Sequence, residues 1–125
     1  LGVSYTDPNT SQKTFSQMWT ASVVASDATA YVIDDPDVLF EMQADGTAAQ
    51  TVIGNNAAVA LTAGSTSIGT SKNVVDISTI ASTTATLPIR IVDISSKSGN
   101  AAGDSYTDLV VKFNAGHIMR NTTGI

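Results

Sequence analysis

Asp34-Asp35-Pro36-Asp37, with Glu41 just beyond, puts three carboxylates into four residues. Carboxylate oxygens converging on one point are what a hard cation such as calcium requires. The alternating Asp/Asn pattern that ends in a glycine turn and a distant glutamate is absent, however. Asp and Asn are also the usual turn formers, because their side chains cap nearby backbone amides. The cluster therefore reads as a corner between two extended segments, and no metal ligand is assigned to it.

His117 is the single histidine, and the chain has no cysteine. A Ser/His/Asp arrangement would have to be built around His117, yet no G-x-S-x-G elbow precedes it. It reads as a surface or interface residue near the end of the chain. Gly64 and Gly69 have the spacing of a phosphate loop, but Thr70 stands where lysine is required. Without cysteine, disulfides and thiolate zinc sites are excluded. No catalytic residue and no cofactor is expected. Asn9-Thr10-Ser11 and Asn121-Thr122-Thr123 fit the glycosylation sequon, which matters only in a eukaryotic secretory setting.

The elements that must carry these residues read as strands. Val38, Phe40 and Met42 alternate with Leu39, Glu41 and Gln43, the period of a half-buried strand. Leu109, Val111 and Phe113 alternate with Asp108, Val110 and Lys112, the clearest strand pattern in the chain. Ala57 to Leu61, Val74 to Ile77, and Leu87, Ile89 and Ile91 supply further short apolar segments. Pro88 cannot donate to a ladder, so it belongs at a strand start or an edge. A helical turn fits Ala48 to Thr51, closed by Gly54-Asn55-Asn56. Residues 63–70 read as a loop, and Ser95 to Ser105 as a long hairpin connection. His117 to Ile125 reads as a short tail. No segment shows a sustained 3.6-residue apolar stripe with caps. The expected fold is all-β: one small β-barrel or β-sandwich with at most one or two short helical turns.

Residues 1–27 lack a clear period. Asp7-Pro8-Asn9-Thr10 is a turn signal, and Tyr5, Phe15, Met18 and Trp19 stand isolated among polar residues. The region reads either as an extended arm anchored by aromatic contacts or as a first strand with loops, ahead of a barrel domain over 28–125. Tyr31, Phe40 and Phe113 lie in strand-like runs and are expected in the core. Tyr5, Phe15, Met18, Trp19 and His117 are the candidates for partner binding. A sugar platform built on Trp19 and Tyr5 is a further reading that their spacing does not support.

The chain has 125 residues, of which 42% are hydrophobic and only 14% charged, with a net charge of −5. Ser and Thr make up about a quarter of it, far above ordinary usage. The basic residues Lys13, Lys72, Arg90, Lys97, Lys112 and Arg120 are scattered, which argues against nucleic acid. No apolar run approaches the roughly 18 residues needed to span a bilayer. A polar, weakly charged surface suits a protein that lies against other protein.

The segments "AYVIDDPDVLFEMQADG", "IGNNAAVALTAGSTSIGTS" and "TTATLPIRIVDI", covering roughly Ala30 to Asp93, resemble a group of small virion structural proteins of tailed bacteriophages. A weaker echo lies in "YTDLVVKFNAGH". Ile68-Gly69-Thr70-Ser71 departs from the group's T-G-x-S at its first residue, and Met42 stands where a β-branched aliphatic is commoner. The resemblance implies a capsid decoration, or cement, protein. Such a protein binds the outer surface of the capsid, often as a homotrimer at three-fold or quasi-three-fold positions, and bridges major capsid protein subunits. It implies no catalytic residues. A tail or fibre module meeting a host receptor or glycan through Trp19 and Tyr5 is the alternative.

Overall fold

A computed structural model describes residues 1–19, 23–65 and 67–117. Their regular secondary structure is almost entirely β: eight strands and a single 3-10 turn, with no helix among the described residues long and apolar enough to cross a membrane. The strands form two antiparallel sheets, each belonging to one of two compact units.

The larger unit comprises Asp35–Ala63 and Lys72–Ile125. Its strands are β4 (Phe40–Gln43), β5 (Asn56–Ala60), β6 (Val74–Ala81), β7 (Ile89–Ile94) and β8 (Asp108–Phe113), in the order β4-β8-β7-β5-β6. The alternation read from the sequence sets the inner face. Leu109 and Val111 of β8 and Ile89 and Ile91 of β7 are buried, with Phe40 and Met42 of β4 packed on them. Register shifts in β5 (between Asn56 and Ala58) and in β7 (between Ile91 and Asp93) bend the sheet, as bulges do. The bend brings its two outer strands together at one parallel bridge, Ala44 with Val75. Asp45 reinforces that contact: its N–H donates to the Val75 carbonyl at 3.0 Å, and its carboxylate accepts the Ile77 N–H at 2.9 Å. The sheet thus curls upon itself without a continuous closing ladder; the fold is all-β as expected, and of the two forms weighed, barrel or sandwich, it is not a closed barrel. Ala44, Ala48 and Ala57 are fully buried in this core, where small side chains let backbones approach.

The connections obey the turn residues. The 3-10 turn Gln50–Val52 ends at Gly54, whose φ of +86° suits glycine. Pro88 falls immediately before β7, where no ladder N–H is needed. The long link from β7 to β8 is held from within by Asn100. Its side chain donates to the carbonyls of Ser95 (2.7 Å) and Asp108 (3.0 Å) and accepts the Asp108 N–H at 2.7 Å. Lys97 spans Glu41 and Asp108, 3.1 Å from each. Glu41 first, and then Asp108, push the Lys97 ammonium above its ordinary value.

The smaller unit comprises Leu1–Asp34 and Gly64–Ser71. Here β1 (Gly2–Thr6) lies between β2 (Lys13–Ser16) and β3 (Thr29–Tyr31). The Asp7-Pro8-Asn9-Thr10 signal is a real hairpin turn: the Asp7 carbonyl accepts the Ser11 N–H at 2.8 Å, and its carboxylate accepts the Asn9 N–H at 2.8 Å. The N-terminal region contains strands, β1 pairing with β2 on one side and β3 on the other. The unit also runs beyond residue 27, because β3 pairs with β1, and it includes the returning loop 64–71. The tail read from His117 onward lies, after His117 itself, outside the described residues.

Candidate functional site

The acidic cluster is a corner in the structure. The Asp35 carboxylate accepts the Asp37 N–H at 2.9 Å, and the Asp35 carbonyl accepts the Val38 N–H at 3.3 Å. Two bonds from one residue therefore turn the chain into β4. Among the described residues no group of three or more His, Asp or Glu side chains could hold a metal ion.

His117 stacks on Phe113, with ring centroids 5.2 Å apart. It lines a cleft of about 350 Å³ with Val59, Pro88, Ile89, Phe113, Ala115 and Gly116. A second cleft, of about 240 Å³, lies against Phe40, Met42, Val59, Val111 and Phe113 and is apolar along its walls.

In the smaller unit one carboxylate ties the elements together. Asp27 accepts hydrogen bonds from Lys13 Nζ, from Thr6 Oγ1 at 2.6 Å and from the Thr6 N–H at 2.9 Å. The Lys13 bond, and then those from Thr6, hold the Asp27 carboxyl well below the usual carboxylate range. The arrangement fastens the β1–β2 hairpin to the segment leading into β3, and every partner in it is structural.

The aromatic residues divide by strand parity. Side chains alternate across a strand, so Tyr5 points to the face opposite Ser4. Ser4 pairs with Phe15, and its neighbour on the same face, Gly2, pairs with Tyr31. Phe15 and Tyr31 therefore flank β1 on one face, with ring centroids 5.9 Å apart and the two side chains 60% and 47% exposed. Tyr31 is thus not in the core, contrary to the expectation from its strand-like run; the run is real, but it joins a sheet whose Tyr31 face is open. Val32 and Ile33 continue this exposed apolar stretch. Phe40 and Phe113 do pack together in the larger unit, 5.2 Å apart.

On the other face Tyr5 is only 5% exposed and packs at 5.2 Å against Trp19, which is 46% exposed. Of the five residues singled out for partner contact, Phe15 and Trp19 are open to solvent and Met18 is half-buried. Tyr5 is covered and packs on Trp19. His117 sits in the larger unit.

Met18 and Trp19 line a cleft of about 320 Å³ with Gly64, Ser65, Gly69, Thr70 and Ser71. Backbone bonds shape the loop wall: Ser65 N–H to the Thr70 carbonyl at 3.0 Å, and Gly69 N–H to the Ser65 carbonyl at 2.9 Å. Gly64 is required here, since a Cβ on it would stand 2.7 Å from the Thr70 carbonyl oxygen. Two features of this region escaped the sequence reading. The place of Tyr31 follows from the non-local pairing of β3 with β1, which a three-residue strand barely signals. The return of loop 64–71 to Met18 has no local signal at all.

Compared with known proteins, the chain matches no family model, no curated protein and no solved structure.

Proposed function

We propose that the chain is a structural component of a tailed-phage virion, a decoration protein that binds the outer surface of the capsid and bridges neighbouring major capsid protein subunits. The observation that carries the contact role is the open face of the smaller unit. There Phe15 and Tyr31 stand exposed, with Val32 and Ile33 exposed in the segment that follows β3, while Tyr5 is the one large apolar side chain of that unit buried among the described residues. A unit this poor in core gains stability by laying its apolar face on another protein. The virion setting rests on the resemblance of Ala30 to Asp93 to phage structural proteins.

A weakly charged, Ser/Thr-rich surface loses little on desolvation compared with a charged one. Even a modest contact becomes strong when a homotrimer presents it three times at a three-fold position. On this reading the chain carries no reaction: its carboxylates and hydroxyls hold turns, and its apolar side chains make the contact.

The test is to purify full heads of the phage that encodes the chain, quantify it by mass spectrometry and locate it by cryo-EM. The expected result is stoichiometric presence at the shell's outer surface, with heads made without it opening at lower temperature or lower salt. Heads that contain no copies would defeat the proposal; density confined to the tail would replace it with a tail module.

A further inference from the structure

We infer that the cleft beneath Trp19 is a binding site for a neutral carbohydrate. A pyranose ring has a patch of C–H bonds on one face and hydroxyls around its rim. A site for it needs an exposed, immobile aromatic face beside neutral polar groups. Trp19 supplies the face: it is about half exposed and braced from behind by the covered Tyr5 ring. Ser65 and Thr70 bring hydroxyl-bearing residues to the lining, and Met18 supplies an apolar edge.

Among the described residues that line the cleft none is charged, so they offer an acidic sugar no counter-charge, and a neutral one loses nothing by that. The wall is preorganised. The two backbone bonds between Ser65 and the Gly69–Thr70 segment fix it, and the close passage of Gly64 under the Thr70 carbonyl leaves it little room to shift. Binding therefore orders few groups, which keeps its entropic cost low. The Phe15–Tyr31 pair lies on the opposite face of the sheet, so capsid contact through that pair and sugar binding at Trp19 draw on different residues. The inference does not depend on the virion reading.

Trp19 is the only tryptophan in the chain, so its fluorescence reports the site directly. The intact protein is titrated with cellobiose, maltose, lactose and chitobiose, with sialyllactose as the acidic comparison, and each response is confirmed by calorimetry. The expected result is a saturable change with at least one neutral sugar. Trp19→Ala weakens that binding by roughly tenfold or more, the size of one lost aromatic contact. Thr70→Val, which keeps shape and removes a hydroxyl, weakens it several-fold with the circular dichroism spectrum unchanged. Because Trp19→Ala could disturb the unit, Thr70→Val and Trp19→Phe serve as the folded controls, and Trp19→Phe retains binding by calorimetry. Absence of a saturable response to all four neutral sugars overturns the inference. So does a response to sialyllactose alone, or affinity unchanged in both Trp19→Ala and Thr70→Val. Loss of capsid attachment in Phe15→Ser with sugar binding intact would separate the two functions.

Discussion

Replacing Tyr5 by alanine removes the one large buried apolar side chain of the smaller unit and the brace behind Trp19. Truncating a buried aromatic costs about 3–5 kcal/mol, from lost transfer energy and the cavity left behind. The larger unit buries Val75, Ile89, Ile91, Leu109 and Val111 in one cluster and keeps that cluster in the variant. The cost should therefore fall on β1, β2 and β3. Expressed as local opening, it accelerates amide exchange there by roughly two to four orders of magnitude. Hydrogen–deuterium exchange followed by mass spectrometry reads each strand separately, with peptides from β7 and β8 as the internal standard. Trp19 emission should shift to the red in the same variant as its neighbour is lost. If exchange in β1–β3 rises less than about tenfold, or if the wild-type β1–β3 amides are already as protected as those of β8, the picture of a weakly cored unit resting on Tyr5 is wrong.

Two further outcomes follow from the carboxylates. Asp35→Ala should destabilise the chain by about 1 kcal/mol, the size of a lost side-chain cap on a backbone N–H, read as a lower thermal midpoint; calcium should not raise the wild-type midpoint, whereas an ion held at a hundredfold its dissociation constant would add about 2.7 kcal/mol. Asp27 has a depressed carboxyl pKa in the folded chain, so the stability it contributes is fully present above the ordinary aspartate value of 3.8 and is lost as pH falls below it; protection factors in β1–β3, taken relative to the intrinsic exchange rate at each pH, should fall as pH drops through that range, and Asp27→Asn should flatten the response.

The larger unit was legible because its sequence obeys a simple rule. Leu109 and Val111, Phe40 and Met42, and Ile89 and Ile91 each recur at every second residue, and each pair faces inward. Pro88 and Gly54 punctuate where their backbones allow. The smaller unit was not legible in the same way. In β1–β3 large side chains are separated by Gly, Ser, Thr and Ala, so alternation carries little contrast. Nothing local tells that Tyr31 sits on an open face. Trp19 and Tyr5 were suspected as a platform but are 14 residues apart in sequence; only hairpin geometry brings their rings to 5.2 Å. Curling of the sheet was also hidden, because the Ala44–Val75 bridge joins segments with no shared pattern.

The fate of the acidic residues bears on the choice between chemistry and contact. Asp7, Asp27, Asp35, Asp45, Asp76 and Asp104 each accept a hydrogen bond from a backbone N–H. A carboxylate committed to a turn amide is oriented by that turn, and moving it to a proton-transfer task would open the turn. Asp108 and Glu41 are joined through Lys97 and hold the β7–β8 link. The acidic balance of the chain thus serves backbone geometry in a protein that makes many tight turns with few large side chains. What these fasteners hold in place is an unusual amount of exposed aromatic and aliphatic surface on a small sheet. A sheet so lightly cored stays ordered best where another surface completes it. The proposed contact role accounts for both features at once.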